Sequence, residues 1–415
     1  MRDRPALPRE PNSNRNQALF WLCVLAAYAI AMLFTDGLGQ SLYKDEKHNW
    51  ETTQTFVGFQ LPPTIDELRS YPELITPLSF TVWSQLERLT RLDVFAGRLL
   101  NVVLSLAIVA LIALRRRPDD RALLAAIGLF FYPYLLPLSV HLYTDVPAAF
   151  LGLAGLALYA HRKPFSSAIF LALAIATRQY LLALPTALAA WALVEQLRGR
   201  HRDPVLWIAP ACASASIFFW FWVFGGLGPP SGIDKWIPLY PAPMMDFLRL
   251  IPEYGLYFLT LVGVYFAIPE FFLFRRWRDW EPPSPKRVIA TVLILGLAYA
   301  IFPPTTYTNP MGALDRVVRT FVVSDGLRMF IFYALALCAC LRFRRLDLAF
   351  WILAVTFIMD MKSQLAWEKY ALPAIVALWY LKSIRAIDEG PFPLAKTGPN
   401  PTRGSGHARI SETRS

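Results

Sequence analysis

The sequence predicts an all-α polytopic membrane protein, and three observations support that class. Hydrophobic residues make up 55% of the 415 residues and charged residues only 17%, and the mean hydropathy is +0.39. This balance leaves too few charges for two ordinary soluble domains. Long apolar stretches recur along the chain, and basic residues collect in alternate loops between them. We therefore expect one bundle of about 12 transmembrane helices, with 11 to 13 as the range.

Twelve apolar stretches can cross a bilayer, the shorter ones with cover from their neighbours. They lie at residues 18–38, 99–114, 122–140, 146–160, 165–177, 180–194, 206–224, 247–274, 288–303, 326–341, 347–360 and 370–384. Residues 165–194 favour two short helices that meet near Arg178. A single helix would carry that charge through the bilayer and would place the basic loops before and after it on opposite faces.

The basic residues predict the orientation. With the N-terminus inside, 27 of the 41 Lys and Arg residues fall on inside segments and 14 outside, as the positive-inside rule requires. This asymmetry accounts for most of the net charge of +11, so no nucleic-acid partner is needed. We expect residues 1–385 to form one transmembrane domain and residues 386–415, rich in Pro, Gly, Ser and Arg, to form a disordered cytoplasmic tail. Both termini are then cytoplasmic.

Cysteine usage and the N-terminus narrow the class further. All four cysteines lie in apolar runs, which offers neither a disulfide framework nor a metal-ligand spacing. The first apolar run has no small-residue cleavage site, so we expect it to be a retained span rather than a cleaved signal.

The outside loops are long and carry a mixture of acids and bases. They cover residues 39–98, 225–246 and 304–325, and DEKHNWETTQTF in the first predicts a short interfacial helix. An enzyme with an anionic lipid donor needs a carboxylate to take a proton from the attacking hydroxyl and cations to stabilise the departing phosphate. The ionisable outside residues are Asp45, Glu46, Asp145, Arg178, Asp315, Arg316, Arg319, Arg328, Glu368, Lys369 and Tyr370.

Each of these residues also has a plainer interpretation. Asp45 and Glu46 could form only a solvated face. Thr144 and Asp145 could cap the helix that follows them, because short polar side chains satisfy free N-terminal amides. Arg178 lies in a short turn between apolar helices and needs a partner, so it could form a structural salt bridge to Asp145.

Five blocks carry a resemblance to a known family. In order they are LYKDEKHNWETTQTF (42–56), YPELITPLSFTVWS (71–84), RLLNVVLS (98–105), LYTDVPAAF (142–150) and ATRQYLLALP (176–185). Together they resemble the dolichyl-phosphoglucose-dependent α-1,2-glucosyltransferases of the GT-C superfamily, which add the last glucose to a lipid-linked oligosaccharide. They cover about the first half of the chain, with Tyr180 and Leu181 where that family has Thr and Asn. The Arg-, Ala- and Leu-rich character favours a bacterial relative.

The resemblance implies a GT-C type bundle with a large first extracytoplasmic loop and an inverting transfer reaction. A hexose, glucose-like, would pass from a polyprenyl-phosphate sugar to a glycan or lipid-linked acceptor on the extracytoplasmic face. Asp45 would be the general base, and Glu46 would orient the acceptor or assist the proton transfer. The donor phosphate or sugar would contact Asp145, Arg178, Gln179, Tyr143, Lys369, Glu368 and Tyr370.

Alternatives remain open for the cofactor, for the membrane in which the protein lies and for the functional class. A divalent cation, Mg²⁺ or Mn²⁺, would have Asp45 and Asp145 as ligands if one is used. The expected location is a bacterial plasma membrane, or the endoplasmic reticulum membrane if the source is eukaryotic. A multi-span transporter or flippase could use the same charges to bind a lipid-linked or anionic substrate, and a non-catalytic assembly partner is a third alternative.

Overall fold

The computed structural model is helical throughout the part of the chain that it describes. That part comprises residues 12–43, 45–114, 120–200, 203–236, 250–274, 284–304, 312–363 and 366–388, and it contains no β-strand. Within it, five helices are long and apolar enough to cross a membrane. This agrees with a helical membrane protein, because a helix satisfies all its backbone polar groups internally. Of the tail expected at residues 386–415, the first three residues are described, and Ala386 and Ile387 are buried against the bundle; the rest lies outside the described residues.

The α-helices have the following bounds. In chain order they are α1 (Asn12–Leu33), α2 (Asp45–Gly58), α3 (Ile65–Ser70), α4 (Leu78–Thr90), α5 (Val94–Ala113), α6 (Asp120–Leu129), α7 (Leu135–Ser139), α8 (Asp145–Ala160), α9 (Pro164–Thr177), α10 (Ala183–Leu197), α11 (Val205–Phe224), α12 (Pro230–Trp236), α13 (Pro252–Val262), α14 (Ile268–Phe274), α15 (Pro285–Ile301), α16 (Ala313–Phe321), α17 (Asp325–Arg342), α18 (Leu348–Asp360) and α19 (Leu372–Ser383). The π-helical segment Gly263–Ala267 joins α13 to α14.

Each of the twelve apolar stretches overlaps at least one of these helices, whereas α2, α3, α4, α12 and α16 lie in the segments between the stretches. Stretch 122–140 is divided, because α6 ends at Leu129 and α7 begins at Leu135, with Pro133 in the turn between them. The expected break at Arg178 is confirmed: this residue is extended (φ −151°, ψ 121°) between α9 and the 3₁₀ turn that leads into α10. The expected helix in DEKHNWETTQTF is confirmed as α2. Crossing of the bilayer by all twelve stretches stays a prediction.

Helix α19 lies at the centre of the bundle. All its residues except Pro373 are buried. Its Trp379 ring contacts the ring of Phe266 at 4.6 Å and covers Gly128 of α6, where a Cβ would lie 2.3 Å from the ring. A glycine at this position lets α6 and α19 approach closely, as small residues do in membrane bundles.

Replacing Gly128 with Ala is expected to destabilise the protein. An alanine gains up to about 1 kcal/mol of helix propensity over glycine, but three atoms of the buried Trp379 ring lie within 2.5 Å of the added methyl, and overpacking costs about 1–3 kcal/mol. A lowered unfolding midpoint in detergent would show this. Gly58→Ala is the control, because nothing lies within 4 Å of a Cβ there. Equal midpoints for the two variants would contradict the close packing.

Four charged side chains close one end of the bundle. Glu270 on α14 accepts hydrogen bonds from Arg342 of α17 at 2.5 and 2.7 Å and pairs with Lys382 of α19 at 2.5 Å. Asp388 lies 2.9 Å from the same Lys382 Nζ. The two negative and two positive charges thus neutralise one another at a position that is largely removed from water. We call this the C-terminal end of α19, and the end that holds Lys369 and α2 the α2 end.

Candidate functional site

Glu46 is enclosed at the α2 end and forms a buried ion pair. Its carboxylate accepts bonds from Arg98 Nε at 2.7 Å and Nη2 at 2.6 Å, and from the backbone amide of Leu142 at 2.7 Å. Both charged side chains are fully buried. Burial raises the pKa of Glu46, but the Arg98 and Leu142 hydrogen bonds outweigh it and leave the pKa lowered. The structure therefore does not support Glu46 as the residue that orients the acceptor, because no acceptor can reach it.

Asp45 has a different environment. Its side chain is 37% exposed, and one carboxylate oxygen accepts a hydrogen bond from Lys369 Nζ at 2.7 Å. Lys369 is buried, and its ammonium lies 3.9 Å from the ring centre of Trp367 and 5.1 Å from that of Tyr143. Aromatic faces hold a cation that is removed from water. The expected proximity of Asp45, Lys369 and Tyr143 is thus present.

Asp145 and Arg178 form a second ion pair of the site. Arg178 Nη2 donates to Asp145 Oδ2 at 3.0 Å, and the Tyr180 hydroxyl donates to Oδ1 at 2.8 Å. The salt bridge that the sequence left open for Arg178 is therefore observed, and the Asp145 carboxylate is engaged by side chains rather than as a helix cap. The Arg178 guanidinium also lies 5.6 Å from the ring centre of Tyr370. Its buried Nε has no hydrogen-bond partner.

Two asparagines hold the loop that ends in Asp145. Asn101 Nδ2 on α5 donates to the carbonyls of His141 at 2.8 Å and Tyr143 at 2.9 Å. Asn49 on α2 donates to the Leu142 carbonyl at 2.8 Å. The buried backbone of this loop is thus satisfied by side chains, which fixes Tyr143 beneath Lys369.

Gln179 has a structural role in a neighbouring loop. Its Nε2 donates to the Leu74 carbonyl at 2.7 Å, and Thr76 donates to the Ile175 carbonyl at 2.7 Å. These bonds fasten the YPELITP loop to the break between α9 and α10. The prediction that Gln179 contacts the donor has no support in this geometry, since its amide is used to position that loop.

Glu368 likewise has a full set of partners. The carboxylate accepts from the hydroxyls of Tyr257 at 2.8 Å and Tyr265 at 2.9 Å, and from the amides of Leu314 at 2.7 Å and Asp315 at 3.3 Å. It is 1% exposed. Glu368 therefore fastens the start of α16 to α13, and the expected contact with the donor is not supported.

Asp315, Arg319 and Arg328 form ion pairs within α16 and α17. Asp315 accepts bonds from Arg319 Nε at 2.9 and 3.0 Å, and Arg328 Nη1 donates to Asp325 at 2.8 Å. These contacts join residues three or four positions apart, as on one helix face.

Glu73 is a site residue that the sequence interpretation missed. Its carboxylate lies 3.4 Å from Lys235 Nζ on α12, and Arg178 and Asp45 are near enough to influence its charge. Burial raises the pKa of Glu73, although Lys235 opposes the shift. The sequence contained a signal for this residue, because Glu73 is the acidic residue of the YPELITP block. It gives the site a carboxyl that holds its proton more tightly than an ordinary glutamate.

A divalent cation does not fit the proposed ligands. Asp45 already accepts a bond from the Lys369 ammonium, and both oxygens of Asp145 accept bonds from Arg178 and Tyr180. The Lys369 ammonium and the Arg178 guanidinium repel a metal ion at these distances, and the neutral Tyr180 hydroxyl occupies the other Asp145 oxygen. No group of three or more His, Cys, Asp or Glu residues suited to a metal occurs among the described residues.

Known proteins offer no further guide to this site. No family model, curated protein or solved structure matches the chain. The side chains of the site come from five places in the fold: the start of α2, the YPELITP loop, the start of α8, the α9 to α10 break and the 3₁₀ turn before α19.

Proposed function

We propose that the protein is an integral-membrane glycosyltransferase that moves a hexose from a polyprenyl-phosphate donor to an acceptor hydroxyl. The observation that carries the proposal is the convergence of a partly exposed carboxylate, Asp45, with two buried cations, Lys369 and Arg178. Charged groups within a membrane bundle mark substrate sites by default. This combination suits proton abstraction beside a departing phosphate.

The two cations are suited to an anionic donor. Lys369 and Arg178 are each 8% exposed, and the Nε of Arg178 has no hydrogen-bond partner. That Nε is itself buried, so Arg178 acts on the donor phosphate through its charge while Asp145 keeps its bond to Nη2. Tyr180 and Asp145 then position the guanidinium rather than bind the sugar.

Asp45 is suited to act as the base. Among the carboxylates near the site it is the most exposed, at 37% against 12% for Glu73 and 0% for Glu46 and Asp145. An acceptor hydroxyl can therefore reach it. In the proposed step the acceptor oxygen bonds to the anomeric carbon, its proton passes to Asp45, and the bond from that carbon to the phosphate oxygen breaks. The phosphate leaves with the electron pair, and the anomeric centre inverts.

The resemblance supplies the finer details of the proposal. It supports a glucose-like sugar, an α-1,2-linked product on a glycan or lipid-linked acceptor, and a twelve-span GT-C bundle. The distribution of basic residues supports an extracytoplasmic α2 end with both termini cytoplasmic. A bacterial plasma membrane is the proposed location.

The test is sugar transfer by the purified protein in detergent. A polyprenyl-phosphate hexose and a sugar acceptor are supplied, and the product is identified by mass. We expect a new glycosidic product and free polyprenyl phosphate. A transporter or flippase moves its substrate without forming a bond, so an unchanged donor, together with donor transport by the same preparation in vesicles, would replace the proposal with that alternative.

A further inference from the structure

A long apolar groove runs between α1 and the pair α6 and α7. It consists of two cavities, about 610 Å³ towards the α2 end and about 630 Å³ on the other side, and both are lined by Ala27 and Phe130. Tyr28 holds α1 behind the groove, because its hydroxyl bonds to Ser105 of α5 and its ring contacts Phe130 edge-on. After Leu129 the α6 helix ends, and the chain turns before α7 begins at Leu135.

The groove has the polarity of a membrane lipid. Its middle is lined by apolar side chains, Gln40, Tyr43 and His141 line its α2 end, and Asn16 and Asp120 line the opposite end. Lining residues run from Asn16 to Phe34 along α1 and just beyond it, a length of about 27 Å at 1.5 Å per residue. That length is close to the hydrocarbon thickness of about 30 Å.

The polar end of the groove lies close to the proposed active site. The Tyr43 ring lies 5.9 Å from that of His141, and the His141 ring lies 6.3 Å from that of Tyr143. Lys369 Nζ is 5.1 Å from the centre of the Tyr143 ring. One aromatic side chain therefore separates the mouth of the groove from a cation that can receive a phosphate.

We infer that this groove binds the polyprenyl chain of the sugar donor, with the phosphate carried past His141 and Tyr143 to Lys369. The inference rests on the proposed function and adds the location of the lipid. An apolar chain with one anionic head matches a groove that is apolar through its middle and has a buried cation near its α2 end, whereas Asp120 at the opposite end would repel such a head. A bilayer phospholipid and a second copy of the chain are the other occupants that the experiment distinguishes.

The test compares two adjacent alanines of α1. Ala27 lines both cavities, whereas Ala26 is exposed and lines neither. Native mass spectrometry measures binding of polyprenyl phosphate, without sugar, to the purified full chain in the presence of phospholipid. We expect Ala27→Trp to weaken binding at least tenfold and Ala26→Trp to bind as the parent does. Equal binding by both variants, or displacement of polyprenyl phosphate by phospholipid, would overturn the inference.

A second measurement needs no substitution. Polyprenyl phosphate with a photoreactive group in its chain is irradiated with the parent protein, and the labelled peptides are mapped. Labels on α1 and α6 support the inference even if the Trp variant fails to fold. Sugar transfer with labels elsewhere in the chain would overturn the placement of the lipid in the groove but not the proposed function. Sugar transfer by a dimer in which the second copy covers the groove would have the same meaning. Labels in the groove without any sugar transfer overturn the proposed function and, with it, the assignment to the donor.

Discussion

Replacing Asp45 with Asn is expected to lower the turnover number of sugar transfer about a hundredfold to ten-thousandfold, the range that a carboxylate base contributes. The amide keeps the size of the side chain but cannot take a proton from the acceptor hydroxyl. Asp45 lies at the start of α2 and is more than a third exposed, but it is also the carboxylate partner of the buried Lys369. Some loss of stability is therefore expected as well, and turnover is compared on folded protein well below the unfolding midpoint of the variant.

Glu51→Gln is the matched control for this prediction. It removes one carboxylate from the same helix, where Glu51 is 52% exposed and pairs with Lys47 at 4.0 Å. Exposed pairs of this kind contribute little, so transfer and stability should both stay at parental levels. Initial rates at saturating donor and acceptor separate turnover from binding. Parental turnover by the Asp45→Asn protein would exclude Asp45 as the base.

Lys369 links the base to the leaving group. Its ammonium bonds to Asp45, and in the proposed complex it also faces the donor phosphate. An anion that draws the ammonium away from Asp45 leaves that carboxylate available to the acceptor hydroxyl. Binding of the donor would in this way prepare the base, which is a reason for the two groups to lie side by side.

The large features of the fold could be predicted because they follow from hydropathy. The break at Arg178 is an example: a charge cannot cross the hydrocarbon without a partner, so the helix had to stop there. The location of α2 was predictable for a similar reason, since its polar residues directly follow an apolar stretch. The partner of Arg178 was foreseen only as one alternative.

The sequence did not show in which direction each side chain of the site points. Asp45 and Glu46 are neighbours, but successive residues of a helix point about 100° apart. Asp45 therefore faces the site, while Glu46 faces the interior and Arg98. The pairing of Glu46 with Arg98 spans 52 positions, and the approach of Glu73 to Lys235 spans 162. Without an approximate fold, contacts over such separations cannot be inferred from spacing.

Replacing Glu46 with Gln is expected to destabilise the protein by about 3–5 kcal/mol, the cost of breaking a buried ion pair. Arg98 would keep its bonds to the carbonyls of Leu38 and Gln40, but its charge would have no counterion in a fully buried position. A correspondingly lower unfolding midpoint in detergent would show the effect. The exposed variant Glu51→Gln should stay within about 0.5 kcal/mol of the parent.

Acid sensitivity provides an independent check on this ion pair. The folded-state pKa of Glu46 is lowered from 4.5, so its contribution to stability is present above that value and is lost as the pH falls through the folded-state pKa. The parent should therefore lose stability below pH 4.5, and Glu46→Gln should lose less over the same interval.

The double variant Glu46→Met, Arg98→Met removes both charges and should be more stable than Glu46→Gln. A double variant as unstable as the sum of its single variants would show that the two side chains do not stabilise each other.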